Sequence, residues 1–300
     1  MIKYKLNLKI IAAKIIKTVF IFSLGMMLLT FLLYNMNFGH RVETRTTISE
    51  QEARFTYFYS GQNRLTAYIF GNENDRGLIV ISHGLGGGAV SYMREIMYFV
   101  DNGWQVFAFD NTGSHNSEGR GTRGLPQSAL DLNEALNYIS NNLPDLPIML
   151  YGHSWGGYAV TAVLNFDHEI SAVVSLAGYA KPIEMLHEGA RAMIGFIGSA
   201  AYPFLWLYQQ FLFGNYSQLC AIEGINSVDT PVKIIHGRDD NVISYSGAGI
   251  IAHRERITNP NAVFVSRYYP NFSGHNDLMR DFSFINEVHQ FFIKSIVLQQ

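Results

Sequence analysis

The sequence predicts an α/β fold in which a mostly parallel β-sheet is covered by helices on both faces. Short apolar segments alternate with segments of helical character from about residue 55 to the end of the chain. Uniformly apolar strands of this kind are typical of parallel sheets, because such strands are buried on both faces. A glycine-rich strand–turn–helix pattern around Ser154 is the second observation that supports this fold class.

The predicted strands are short runs rich in branched and aromatic side chains. In chain order they are 55–59, 65–70, 77–82, 104–109, 147–151, 170–176, 232–235 and 263–265. Helices are predicted over 92–100, 130–139, 158–164 and 282–296.

The segment from Tyr179 to about Asn226 interrupts this alternation, because it has no strand pattern and is rich in aromatic residues. It lies between two predicted core strands, so we expect an insertion over the carboxyl edge of the sheet. A helical cap that lines an apolar substrate pocket is the interpretation we favour. Ordinary helix-packing surface and a membrane-contacting patch are the alternatives.

Composition limits the partners of the chain. Its 300 residues, 48% of them hydrophobic, can bury one large core. Five lysines precede the first acidic residue, Glu43, and the rest of the chain has 17 basic and 24 acidic residues. We therefore expect no nucleic-acid partner, since no basic face is available to neutralise phosphates. Cys220 is the single cysteine, which excludes an intrachain disulfide.

The N-terminal segment predicts a membrane anchor. From Thr18 to Tyr34 the chain carries no charge, and with its flanks it is about long enough to cross a hydrocarbon core of about 30 Å. The lysine-rich leader predicts a cytoplasmic N-terminus, so the main domain would lie outside the cytoplasm. We predict an uncleaved, single-pass signal anchor in the cell membrane. A cleaved signal peptide and a buried core helix are the alternatives, although no small-x-small cleavage pattern follows.

Residues 150–157 read Leu-Tyr-Gly-His-Ser-Trp-Gly-Gly and contain the pattern G-x-S-x-G. An apolar run precedes this pattern and an unbroken helical run follows it. That context is typical of a nucleophile elbow, where a serine lies on a sharp turn between a strand and a helix. The two glycines allow backbone segments to approach where a Cβ would clash. The pattern thus predicts a serine hydrolase.

A serine hydroxyl needs a base to accept its proton, and the base needs a third group to fix its tautomer. After a nucleophile elbow, the acid and the base follow in that order, each in a loop after a strand. One suitable loop is 236–242, which contains Asp239 and Asp240, and a second is 271–277, which contains His275.

Taken together, the motifs resemble those of the α/β-hydrolase superfamily, in its group of serine esterases, lipases and serine aminopeptidases, and the chain looks like a membrane-anchored bacterial-type member. The resemblance covers about residues 65–296. The motifs are H-G-x-G at 83–86, a D-x-x-G loop at 110–119, G-x-S-x-G at 152–156, H-G-x-x-D at 236–240 and G-H at 274–275. Ser114-His115-Asn116 departs from the family pattern, which often has a second glycine there.

The resemblance implies that Ser154 is the nucleophile, His275 the general base and Asp240 the acid that orients it. Asp239 is the alternative for the acid, and a surface loop histidine is the alternative interpretation of His275.

The oxyanion hole requires two backbone N–H groups directed at the developing charge. Trp155, directly after the nucleophile, is predicted to provide one, and Leu85 in the glycine-rich loop after strand 77–82 the other. A phosphate-binding loop is the alternative, but no complete phosphate-loop pattern accompanies these glycines. We expect His83 and His153 to be scaffold residues.

The sequence therefore predicts cleavage of an ester, thioester or small amide bond through an acyl-enzyme, with no cofactor and no metal ion. We expect a small-molecule ester or acyl substrate ahead of a peptide, and contact with the lipid bilayer through the N-terminal helix. A serine aminopeptidase-like peptidase is the alternative among enzymes, and a catalytically silent binding scaffold is the alternative class.

Three regions follow from these predictions. Residues 1–40 form the basic leader and transmembrane anchor, 41–54 a linker, and 55–300 the catalytic domain with its cap at 179–226.

Overall fold

An eight-stranded sheet forms the centre of the molecule in the computed structural model, which describes residues 2–43, 48–268, 274–279 and 282–297. The strands are β1 (Arg54–Ser60), β2 (Asn63–Phe70), β3 (Leu78–Ser82), β4 (Gln105–Phe109), β5 (Ile148–His153), β6 (Ala172–Leu176), β7 (Val232–Gly237) and β8 (Ala262–Arg267). Their order across the sheet is β1-β2-β4-β3-β5-β6-β7-β8. β1 and β2 are antiparallel to their neighbours, and the strands from β3 to β8 are parallel. The predicted α/β class is thereby confirmed.

Helices cover both faces of this sheet. They are α1 (Ile2–Phe38), α2 (Met93–Asp101), α3 (Gln127–Asn142), α4 (Trp155–Ala162), α5 (Pro182–Ile194), α6 (Phe196–Ala200), α7 (Tyr202–Phe213), α8 (Ala221–Asn226) and α9 (Phe282–Val297). In β3, Leu78 and Val80 pack toward α3 and α4, whereas Ile79 and Ile81 pack toward α2 and α9. Both faces of the strand are buried, which explains its continuous apolar sequence.

The segment between β6 and β7 is helical, as the sequence predicts, and contains α5 to α8. Met185 of α5 reaches the cleft that contains Ser154. The insertion therefore lies beside the end of β5 where the elbow begins. The boundaries proposed for the cap and for the other domains stay predictions.

Among the described residues, α1 is the one helix long and apolar enough to cross a membrane. Most of its side chains from Ile10 to Leu32 are exposed, so this part of α1 is not the buried core helix that was the alternative. Further along, Met26 packs in one apolar cluster with Ile183 of α5, Ala201 between α6 and α7, and Leu205 of α7. The second half of α1 is thus docked on the insertion.

The start of the predicted linker is also docked. The Arg41 guanidinium donates hydrogen bonds to the carbonyl oxygens of His115 and Ser117, at 2.5 and 2.9 Å. The Val42 N–H donates to the carbonyl oxygen of Gly113 at 2.9 Å. The chain leaving α1 is therefore fixed to the loop that follows β4.

Candidate active site

Ser154 lies on the turn between β5 and α4, with φ 57° and ψ −114°. A non-glycine residue is strained in this conformation, and such strain is typical of functional turns. The Ser154 N–H donates to the carbonyl oxygen of Leu176 at 2.7 Å, which ties the turn to β6. A Cβ on Gly156 would lie 1.9 Å from the carbonyl oxygen of Ser82, so the pattern requires glycine there.

The structure brings Ser154, His275 and Asp240 into one hydrogen-bonded chain. His275 Nε2 lies 3.0 Å from Ser154 Oγ, and His275 Nδ1 lies 2.8 Å from Asp240 Oδ2. The carboxylate holds the proton on Nδ1, which leaves Nε2 to accept the serine proton. His275 itself is within the described part of the predicted base loop, whereas residues 271–273 of that loop lie outside it.

The Asp240 carboxylate is fixed on both oxygens. Its Oδ1 accepts hydrogen bonds from the N–H groups of Val242 and Ile243, both at 2.9 Å. On the other oxygen, His236 Nε2 lies 3.3 Å from Oδ2. Burial alone would raise the pKa of Asp240, but the hydrogen bonds from His236 and His275 outweigh it and hold the pKa well below its usual range. The carboxylate therefore stays ionised.

Asp239, the alternative acid, lacks these contacts. Its Oδ1 is buried and has no hydrogen-bond partner among the described residues. His236 was not singled out from the sequence as a site residue, although it is the first residue of the H-G-x-x-D motif that contains both aspartates.

The two residues assigned to the oxyanion hole line the same cleft as Ser154, a cavity of about 450 Å³. Trp155 is the first residue of α4, so its N–H has no acceptor inside the helix. No partner for the Leu85 N–H is found in the parts of the chain that the structure describes. Both donors are thus available at the N-terminal end of α4, where the helix dipole favours negative charge.

His83 holds the loop that carries Leu85. Its Nδ1–H donates to the carbonyl oxygen of Gly84 at 2.8 Å, and its Nε2 accepts the N–H of Asn111 at 2.9 Å. Burial lowers the pKa of His83, so the ring is neutral and both bonds persist. His83 is a scaffold residue, as its position before the glycines predicts.

His153 connects the elbow to the base. Its Nε2–H donates to the carbonyl oxygen of His275 at 3.3 Å, and its Nδ1 accepts the Tyr92 hydroxyl at 3.0 Å. The same hydroxyl accepts the N–H of Gly84 at 3.0 Å. Burial, followed by the nearby His275, lowers the pKa of His153 to about 3. Sequence reasoning missed Tyr92, because its role depends on contacts with residues far away in the chain.

The departure from the family pattern at His115 is accommodated by another glycine. His115 adopts a left-handed φ of 43°, as a glycine would. A Cβ on Gly88 would lie 2.0 Å from the His115 ring, so the absence of that side chain makes room for the imidazole. The His115 ring therefore occupies space that a side chain at position 88 would fill.

Within the described residues, no acidic side chain lines the cleft that contains Ser154. In the same residues, no group of three or more His, Cys, Asp or Glu side chains is arranged to hold a metal ion. Cys220 is buried, and burial raises the pKa of its thiol.

Comparison with known proteins shows which proteins this chain is similar to. A family profile described as serine aminopeptidase, S33, matches residues 73–218. The monoacylglycerol lipase of Mycolicibacterium smegmatis is 28% identical over 151 residues, which are 49% of this chain and 52% of that protein. The lysophosphatidylserine lipase ABHD12 of Danio rerio is 24% identical over 180 residues, which are 58% of this chain and 46% of that protein. The chain thus spans about half the length of the curated relatives it matches.

The solved structure of the Pyrococcus furiosus esterase Pf2001 superimposes with a TM-score of 0.66 and 21% sequence identity, over 86% of this chain and 98% of that one. This likeness shows a shared fold. The chain is a member of the α/β-hydrolase superfamily. Its sequence is similar to those of proteins named as lipases, and its fold is similar to that of a protein named as an esterase.

Proposed function

We propose that the protein is a serine esterase anchored in the cell membrane, with Ser154, His275 and Asp240 as its catalytic triad. The observation that carries the proposal is the continuous hydrogen-bonded chain from Ser154 Oγ through the His275 ring to the Asp240 carboxylate. A binding scaffold has no need for these three groups in this order.

In the proposed reaction, Ser154 Oγ attacks the ester carbonyl carbon while His275 Nε2 accepts the hydroxyl proton. The N–H groups of Leu85 and Trp155 stabilise the oxyanion. His275 then returns the proton to the leaving alcohol oxygen as the carbon–oxygen bond breaks. Water attacks the acyl-enzyme by the same route in reverse and releases the acid.

An ester substrate is favoured over a peptide by the lining of the cleft. An aminopeptidase must bind the positively charged N-terminus of its substrate, for which a carboxylate is the usual partner. The described lining of the cleft has no Asp or Glu side chain, and Leu85, Leu125, Met185 and Ile243 make much of it apolar. The relatives named as lipases support the same preference.

The proposed orientation of α1 across the membrane is based on the positive charges that precede its uncharged stretch. Lys9, Lys14 and Lys17 lie on the N-terminal side of the uncharged stretch of α1, so the positive-inside rule places the N-terminus in the cytoplasm. The catalytic domain then lies on the outer side of the membrane.

The test is labelling with a fluorophosphonate probe together with turnover of p-nitrophenyl esters. We expect the wild-type protein to be labelled and active, and Ser154→Ala to lose labelling and to lose roughly 10⁶-fold in kcat. Ser140→Ala is the matched control, since Ser140 is exposed on α3, its hydroxyl donates to the carbonyl oxygen of Asn137, and it does not line the cleft. A folded wild-type protein that neither reacts with the probe nor cleaves esters would favour the silent scaffold, and turnover of aminoacyl amides alone would favour the peptidase.

A further inference from the structure

A second cavity, of about 220 Å³, lies between α1 and the cap helices α5 to α7. Its walls are apolar apart from a few side chains. It shares Leu85, Leu125 and Met185 with the catalytic cleft as lining residues. The apolar cavity therefore adjoins the cleft at the residue assigned to the oxyanion hole, where the acyl group of a substrate would begin.

One wall of this cavity is the N-terminal helix itself. The α1 residues that line it lie on one face of the helix, as three adjacent pairs that recur every four positions. They are Leu29, Thr30, Leu33, Tyr34, Asn37 and Phe38. Gly189 of α5 lines the opposite side, and an added Cβ there would meet no atom within 4 Å.

The length of α1 determines how deep in the bilayer this wall of the cavity would lie. The uncharged stretch 18–38 has a rise of about 31 Å, close to the hydrocarbon thickness of about 30 Å. Contact with the cap begins at Met26, so the docked part of α1 rises about 18 Å from there to Phe38. If all of the uncharged stretch is needed to span the bilayer, most of the docked cap surface lies within the leaflet on the catalytic side, which is about 15 Å thick.

The residues on the surface of the cap are of the kind expected for a position inside the bilayer. No charged residue occurs from Ala192 to Ile222. Phe196 is 87% exposed and Phe211 is 83% exposed. The Phe211 ring lies 6.5 Å from the ring of Tyr208, which packs edge to face on Phe31 of α1 at 6.1 Å. An exposed aromatic surface continuous with an apolar helix is typical of bilayer contact.

We infer that the cavity between α1 and the cap holds the acyl chain of a lipid ester, which reaches Ser154 directly from the bilayer. This inference rests on the proposed function and specifies its substrate class. The membrane anchor is then one wall of the acyl site. The acyl carbonyl carbon bonds to Ser154 Oγ as its bond to the alcohol oxygen breaks, and hydrolysis releases a fatty acid.

The first test compares two glycine substitutions in the full-length protein, reconstituted in phosphatidylcholine vesicles that contain mono-oleoylglycerol. Gly189→Leu fills the cavity, whereas Gly25→Leu adds the same side chain to the exposed face of α1, where a Cβ also meets no atom within 4 Å. The readout is kcat/KM for mono-oleoylglycerol divided by kcat/KM for p-nitrophenyl acetate. We expect this ratio to fall about tenfold or more in Gly189→Leu and to stay within about twofold in Gly25→Leu.

The second test addresses α1 directly. Leu33→Trp blocks the cavity from the side of the anchor, and Leu32→Trp places the same ring on the neighbouring residue, which is 49% exposed and does not line the cavity. The ratio is expected to fall about tenfold in the first variant and to change by less than about twofold in the second.

Equal ratios within each pair would overturn the inference. Wild-type protein that cleaves p-nitrophenyl acetate but not mono-oleoylglycerol in vesicles would also overturn it, while leaving the proposed function intact. Wild-type protein that cleaves neither ester and is not labelled by the fluorophosphonate would overturn both.

Discussion

The surroundings of Ser154 and the interface between α1 and the cap are held together by different forces. Around Ser154, directional hydrogen bonds join His275 to the Asp240 carboxylate, the Val242 N–H to that carboxylate, and His153 to the carbonyl oxygen of His275. Between α1 and the cap, packing dominates, and Asn35 Nδ2 donates a hydrogen bond to the Tyr208 hydroxyl at 3.2 Å.

This difference matches what the proposed function requires of each region. Proton transfer requires donor and acceptor atoms at fixed distances and angles, which only directional bonds provide. Binding an acyl chain requires apolar surface of suitable shape, and apolar packing is non-directional and tolerates changes that conserve volume. Substitutions in the first region should therefore affect chemistry steeply, and substitutions in the second should act through size.

The largest effect is expected at the acid. Asp240→Asn should lower kcat by about 10⁴-fold, because an amide no longer holds the His275 ring in the tautomer that accepts the serine proton. Asp239→Asn is the matched control one residue away and should keep kcat within about threefold, which lies inside the context-dependent spread of such effects. Steady-state turnover of p-nitrophenyl acetate measures both. A larger loss in Asp239→Asn than in Asp240→Asn would assign the acid to Asp239 instead.

An intermediate effect is expected in the pH dependence of stability. The pKa of His153 is lowered to about 3 in the folded protein, so between pH 6.5 and about 3 the unfolded chain binds more protons. Stability should therefore fall as the pH falls, by about 1.4 kcal/mol per pH unit from this residue. In His153→Gln that contribution is absent. Thermal unfolding midpoints from pH 7 to pH 4 should fall more steeply for the wild type.

Only the slope tests this prediction, because the substitution also changes the hydrogen bonds to Tyr92 and His275 at every pH. Parallel curves for the two proteins would show that His153 is not held neutral by its burial.

The smallest effect is expected at the polar contact between α1 and the cap. Tyr208→Phe removes the hydrogen bond from Asn35 but keeps the ring on Phe31 and Tyr34, so it should cost about 1 kcal/mol or less. Tyr208→Ala also removes the ring contacts and should cost about 3 kcal/mol or more. Thermal unfolding in detergent compares them. Equal destabilisation would mean that the hydrogen bond, and not packing, holds the cap on α1.

Much of the fold was predictable because its signals are local. The apolar pattern of β3 reflects burial on both faces, and that pattern is visible in the four consecutive residues 78–81. The start of α4 was predicted three residues late, at Tyr158, because the helix begins directly at the elbow and includes Trp155 and the two glycines after it. Glycine lowers helix propensity, so the local pattern understates a helix that tertiary packing supports.

At the site, the order of Ser154, Asp240 and His275 along the chain was readable, because each follows a predicted strand and parallel strands end at one edge of the sheet. The partners that surround them were not readable. Tyr92 reaches His153 across 61 residues of chain, and His236 lies beside Asp240 only because the loop after β7 folds back.

By itself, the sequence determined the fold class, the elbow and the residues that resemble a catalytic triad. Each of these has a short sequence pattern, either an apolar run or a motif with fixed spacing. Tertiary structure alone decided which aspartate contacts His275, and it alone placed Leu33 of α1 and Gly189 of α5 on one cavity next to Leu85. The physical reason is that the sequence determines that α1 is apolar, but not which of its faces packs on the cap and which stays exposed. Only packing between distant segments makes that distinction.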